Sequence, residues 1–205
     1  MTLTVDIGNS RIKWALWQTE KIVARGAAAY DKDNAMGSVD KLLSVLEKPS
    51  RVVTVCVAGK KVRYALDKWV KQCWQLDVEY LKTQKQYKNI INGYQDPGQH
   101  GADRWAAVVA AHQSFPDSSV CVISAGTATT FDLVDKNGQH LGGYILPSYA
   151  SMHAALLADT VDVLSTANVQ SDQHNIPDNT DDAVNQGLHM LLQAGIRELC
   201  QFSRD

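Results

Sequence analysis

The residues best suited to chemistry lie in short turns between apolar runs. In "DIGNSRIK" (6–13) a carboxylate, a glycine, two small polar residues and a lysine fall within one turn. A glycine-bearing turn lets backbone N–H groups approach an anion. Asp6 ends the preceding apolar run and offers the hard oxygen that Mg²⁺ takes, and Lys13 is the nearest cation for phosphate oxygens. "SAGTATT" (124–130) has the same outline, with Ser124 two residues before Gly126 just as Asp6 is two residues before Gly8. Ordinary turn chemistry and the threonine content of strands account for these residue types equally well. Two such turns could nevertheless grip one polyphosphate.

A second group sits in "GADRW" (101–105). Asp103 falls in the first turn of a predicted helix, where a carboxylate suits the positive end of the macrodipole. The same carboxylate could accept a hydroxyl proton, and the planar fork of Arg104 could hold a substrate carboxylate. The preceding aperiodic stretch, with Tyr94, could form a pocket wall. In "NTDDAV" (179–184) Thr180 suits an N-cap, with Asp181 and Asp182 in the first turn. The six histidines show no HExxH-like spacing and read as surface or core residues rather than a zinc site.

The elements that must position these groups follow from pattern. Residues 2–29 read as three strands with short, hence antiparallel, connections. A helix is expected over 39–48 and a fully covered strand in "RVVTVCVAG". Val62, Ala65, Leu66, Trp69, Val70 and Cys73 recur at helical spacing, with lysines and an arginine on the solvated side. "LDVEYL" (76–81) reads as a further strand, 88–100 as a loop, and 101 to Pro116 as a helix. Three more strands follow in "SSVCVISAG", "TTFDLVD" and "QHLGGYILP", then helices at 149–160 and from about 181 onward. Antiparallel strands followed by helix-linked strands make an α/β mixed sheet with packed helices. The duplicated strand–turn–strand suggests an N-terminal lobe over 1–116 and a C-terminal lobe over 117–205.

The 205 residues suffice for one large domain or two small lobes with a core, and 45% are hydrophobic, so the chain is globular. A formal net charge of −2 leaves no footprint for nucleic acid. The opening residues lack a signal-peptide pattern, and no apolar run is long enough to span a bilayer. Cys56, Cys73, Cys121 and Cys200 show no CxxC spacing and read as reduced, mostly buried thiols of a cytoplasmic protein.

Taken in order, "DIGNSRIK", "NGYQDP", "GADRW", "SAGTATTFD", "GGYILPS" and "NTDDAV" resemble the motifs of type III pantothenate kinases, the Bvg accessory factor family, from residue 1 to about 190. The resemblance implies the actin-like, sugar-kinase-like ATPase fold, with two related lobes that each carry a mixed sheet flanked by helices. It implies ATP-dependent phosphorylation of pantothenate to 4'-phosphopantothenate, the first step of coenzyme A synthesis. By position, Asp6, Ile7, Gly8, Asn9, Ser10, Arg11, Ile12 and Lys13 would form the first phosphate motif, and Thr127 would contact ATP. Asp103 would be the catalytic base. Tyr94, Gly101, Ala102, Asp103, Arg104 and Thr180 would contact pantothenate.

The resemblance further implies Mg²⁺, a monovalent cation such as K⁺ or NH₄⁺, and a homodimer. Ser124 stands where the family has the aspartate of the monovalent-cation site. The family normally continues beyond the "DDAV" helix through a further βα segment of the nucleotide lobe. These two departures leave a second reading open, a catalytically impaired relative that binds a ligand or regulates a partner. A third is transfer to another small hydroxyl compound, since fold does not fix substrate.

Overall fold

The computed structural model describes residues 1–159, 165–167 and 176–202. They fall into two compact units, Met1–Gln84 with Asp96–Ala106, and Lys85–Gln95 with Ala107–Asp205.

The first unit opens with β1 (Thr2–Ile7), β2 (Arg11–Gln18) and β3 (Lys21–Ala29), antiparallel neighbours as their short connections require. Next come α1 (Ala35–Leu43), β4 (Arg51–Cys56), α2 (Lys60–Trp74) and β5 (Val78–Tyr80). Strands β4 and β5 lie parallel to β1, so the five-stranded sheet runs β3-β2-β1-β4-β5. Alternation along β1 sends Leu3, Val5 and Ile7 into the core and leaves Thr4 and Asp6 on the opposite face. The core is completed by Ile12, Leu16, Val52 and the inner faces of α1 and α2.

Two details of the helices differ from expectation. Helix α1 starts earlier than 39, because Asn34 caps it by accepting from Gly37 N–H at 3.1 Å. On α2, Trp74 is buried where the apolar spacing pointed to Cys73, which is exposed. Trp74 meets Trp69 edge to face at 4.8 Å, and Trp69 Nε1 donates to Asp40 Oδ1 at 2.8 Å, fastening α2 to α1. None of the four cysteines is fully buried, and Cys73 is exposed.

The second unit contains a feature hidden in the expected loop. Strands β6 (Gln86–Tyr87) and β7 (Ile90–Ile91) pair as a small hairpin, with Lys88 at φ 53° in its two-residue turn. A 3-10 turn over Pro97–Gln99 leads to α3 (Ala102–Ser114), which begins in the first unit and continues into the second. Strands β8 (Val120–Ala125), β9 (Ala128–Val134) and β10 (His140–Pro147) form an antiparallel sheet of order β10-β9-β8. The mixed sheet expected in each lobe is complete in the first unit. In the second, the described strands form only antiparallel ladders, so the mixed sheet expected there is not seen among the described residues. Helices α4 (Tyr149–Asp159) and α5 (Thr180–Phe202) pack on one another. The last residue of the helix expected over 149–160, residues 203–205 and His174 lie outside the described residues.

Helix α2 ends at Gln75, a non-glycine residue in the left-handed region at φ 58°. An L side chain there costs about 1 kcal/mol or more, which glycine avoids. Gln75→Gly should therefore raise unfolding stability by about 0.5–1 kcal/mol, read as a higher urea midpoint with an unchanged slope.

Candidate active site

In the first unit the ladder between β1 and β2 sets Asp6 directly opposite Lys13, and their side chains pair at 3.5 Å. Both are substantially exposed, so the pair is weak and available to a ligand. The last pair of the β1–β2 ladder is Ile7 with Ile12, and Gly8, Asn9, Ser10 and the first β2 residue, Arg11, lie between them. Gly8 N–H donates to Arg11 O at 3.0 Å. Tyr30 Oη donates to Gly8 O at 3.0 Å and to Asn9 O at 3.4 Å, pinning the turn from the end of β3. Burial raises the Tyr30 pKa, which keeps that donor protonated.

Backbone freedom is not what glycine supplies in the two turns. Neither Gly8 nor Gly126 has a positive φ. A Cβ would meet Arg11 O at 3.5 Å and Ala128 O at 3.8 Å, ordinary contacts in both cases. The turn geometry therefore does not need glycine. What a bare Cα provides here is open access to the backbone.

A cleft of about 700 Å³ lies on the same sheet face. Its floor follows the strand register. One row is Asp6, Lys13 and Ala27, and the next is Thr4, Ala15 and Arg25. The small residues leave room between the charges. Arg25 escaped the sequence reading because only the β2–β3 register brings it to this face.

Asp103 is exposed in the first turn of α3, and its Oδ1 accepts from the Arg104 backbone N–H at 2.8 Å. That satisfies one orphan donor of the helix start. A Cβ on Gly101 would lie 2.6 Å from Asp103 Oδ1, so glycine makes the space in which this carboxylate sits. Arg104 is buried, at 7% exposure, while Gly101 and Ala102 are half-buried. None of these four lines the 700 Å³ cleft, which takes only Ala106 from α3.

In the second unit Ser124 and Thr127 are exposed at the turn between β8 and β9. Here the ladder closes at Ala125 and Thr129, so the loop is one residue shorter than its counterpart. The residue opposite Ser124 is consequently Thr130, a hydroxyl facing a hydroxyl where the first turn has a carboxylate facing an ammonium.

Tyr94 is half-buried on a loop held by several bonds. Lys85 Nζ donates to Asn92 O at 3.0 Å and to Tyr94 O at 3.1 Å, and Tyr94 N–H donates to Asn92 Oδ1 at 3.0 Å. Lys85 stands in no distinguishing motif or spacing along the chain.

Thr180 is exposed and is the first residue of α5 rather than its cap. The capping acceptor is Asn179 Oδ1, which takes Asp182 N–H at 2.9 Å. Thr180 and Asn179 line a second cleft of about 630 Å³, with Leu156, Pro177 and Leu188. Asp181 Oδ1 accepts from Ser165 Oγ at 2.7 Å and Thr166 N–H at 2.8 Å. The Ser165 hydroxyl, then the Thr166 N–H, hold the Asp181 pKa below its usual value. This clamp is thus present at neutral pH and is lost only as pH falls through that lowered value.

The fold has solved relatives. A Campylobacter jejuni protein described as a Baf family transcriptional activator superposes with a TM-score of 0.60 at 23% identity, covering 96% of this chain and 78% of that one. A Sinorhizobium meliloti protein described as a 2-dehydro-3-deoxygalactonokinase gives 0.51 at 12% identity, over 82% and 62%. The architecture is therefore the actin-like, sugar-kinase-like ATPase fold. The profile of the type III pantothenate kinase family matches residues 2–201. Type III pantothenate kinases of Nitrosococcus oceani and Alkalilimnicola ehrlichii are 35% and 34% identical over 81% and 96% of this chain, and over 64% and 78% of their own lengths. The chain belongs to the type III pantothenate kinase family. The activity that this membership assigns is ATP-dependent phosphorylation of pantothenate in coenzyme A synthesis.

Since no backbone constraint requires glycine at position 8, Gly8→Ala should change unfolding stability by less than about 0.5 kcal/mol. It should nonetheless weaken ATP about tenfold, by blocking approach to the turn. A large stability loss in urea titrations, with ATP affinity intact, would return Gly8 to a turn-forming role.

Proposed function

We propose that Asp103 is the general base of pantothenate phosphorylation. The observation that carries this is the exposed carboxylate in the first turn of α3, with Oδ1 committed to a backbone N–H. Its other oxygen is left to take the proton of the substrate's primary hydroxyl. That hydroxyl oxygen attacks the γ-phosphorus of ATP, the bond to the β–γ bridging oxygen breaks, and ADP leaves. In-line transfer of this kind needs positioning and charge neutralisation more than covalent help.

The segment from Asp6 to Lys13 supplies phosphate contacts, with the Lys13 ammonium and the turn N–H groups meeting the anionic oxygens, and Thr127 contributes from its own turn. Tyr94, Gly101, Ala102, Arg104 and Thr180 bind pantothenate, and the Arg104 fork takes its carboxylate. Asp6, a half-exposed carboxylate at a strand end, fits Mg²⁺, which when bound supplies neutralisation of phosphate charge. Ser124 and Thr130 offer only neutral hydroxyls, a poor match for K⁺ or NH₄⁺ beside phosphates. The same absence of charge favours a second reading, a slow or impaired kinase. The protein acts in the cytoplasm as a homodimer. Among the described residues no helix is long and apolar enough to cross a membrane.

Asp103→Asn keeps the size and removes the base, so turnover should fall about 10²–10⁴-fold with the thermal midpoint unchanged. Turnover near that of the natural protein would remove Asp103 from the mechanism. Ser124→Asp should raise turnover and confer activation by K⁺ or NH₄⁺. Strong K⁺ activation of the natural protein, unimproved by the aspartate, would place the cation elsewhere.

A further inference from the structure

We propose that His140 is a positioning residue for pantothenate recognition, holding the backbone and ring of Tyr94 in place through Gly93. The proposal rests on the reading of Tyr94 as a pantothenate contact. His140 opens β10 at 0% exposure, and Asp132 on β9 is 1% exposed. His140 Nε2 lies 3.0 Å from Asp132 Oδ1. On the other side of the ring, Gly93 N–H donates to Nδ1 at 3.4 Å. Nδ1 is therefore the acceptor, and the ring proton sits on Nε2, donated to the carboxylate. Asp132 fixes the tautomer that can receive Gly93.

Three further observations tie this pair to the loop. The Tyr94 ring stacks on the His140 ring, with centroids 5.9 Å apart and planes at 18°. A Cβ on Gly93 would lie 2.0 Å from His140 O, so the residue before Tyr94 is seated directly on the His140 backbone, and only glycine allows it. The register of β9 and β10 shifts between His140 and Gly142, with Gly142 at φ 127°. A bulge re-aims the side chains beside it. Burying an acid with an imidazole is a poor route to stability, because apolar residues of similar volume do as well or better. Here the pair instead presents an oriented acceptor and a ring face to the substrate loop.

The test is a double-mutant cycle in steady-state kinetics, with pantothenate titrated by calorimetry alongside. Tyr94→Ala and His140→Ala should each raise the pantothenate KM about tenfold, with the ATP KM and kcat within about twofold. The double variant should be no worse than Tyr94→Ala alone, because coupled residues are non-additive. Should His140→Ala fail to fold, Asp132→Asn and Asp132→Leu carry the same test. The amide keeps an oxygen acceptor for Nε2–H, so its pantothenate KM should rise less than that of the leucine variant. A Tyr94→Ala defect with an unchanged KM in His140→Ala, additive effects in the double variant, or equal effects of asparagine and leucine at 132 would overturn the role of His140 alone. An unchanged pantothenate KM and affinity in Tyr94→Ala would overturn the Tyr94 reading and this inference with it.

Discussion

The two-residue alternation of β1 is the constraint on which the rest of the first unit depends. Leu3, Val5 and Ile7 must face α1 and α2 to bury the core, and that obligation puts Asp6 on the other face. The antiparallel ladder then places Lys13 across from it. A one-residue slip would exchange the two faces, exposing three core side chains and burying a carboxylate. Each fully buried aliphatic side chain is worth about 1.5–3 kcal/mol. The core thus fixes the register, and the register fixes where the charge stands.

The second turn follows the same plan under a different constraint. Its ladder closes one residue sooner, so the position opposite Ser124 is filled by Thr130 rather than a lysine. Aspartate at 124 would have no ammonium across the ladder. Serine fits a turn that carries no charge of its own. The two copies therefore differ at both positions of the pair, as expected if each ladder pair is set as a unit.

Half-buried and exposed polar side chains fasten segments that lie outside the main ladders. Tyr30 bonds the carbonyls of the first turn, Lys85 bonds the carbonyls at 92 and 94, and Asp181 bonds the chain at 165 and 166. These segments lack regular ladders, so their backbone groups must find side-chain partners. Such fastening leaves the loop backbone ordered before any substrate arrives, which lowers the entropy cost of binding.

Much of the fold was legible in the chain itself. Apolar runs bounded by turn residues marked β1 to β4 and β8 to β10, helical spacing marked α2, and the ordered motifs marked the family. Those signals are local, because they depend on which side chains lie two, three or four residues apart. The cap at Asn34, the hairpin at Gln86–Ile91 and the burial of Trp74 in place of Cys73 were decided by tertiary contacts that offset weak local preference. The same holds for Arg25, Lys85 and His140, whose partners lie many residues away or across a ladder. Residue types in the turns were compatible with phosphate binding and with ordinary turn chemistry alike. Only the register could show that one turn sets an acid against a base and the other a hydroxyl against a hydroxyl, because pairing across strands depends on loop length and core burial together.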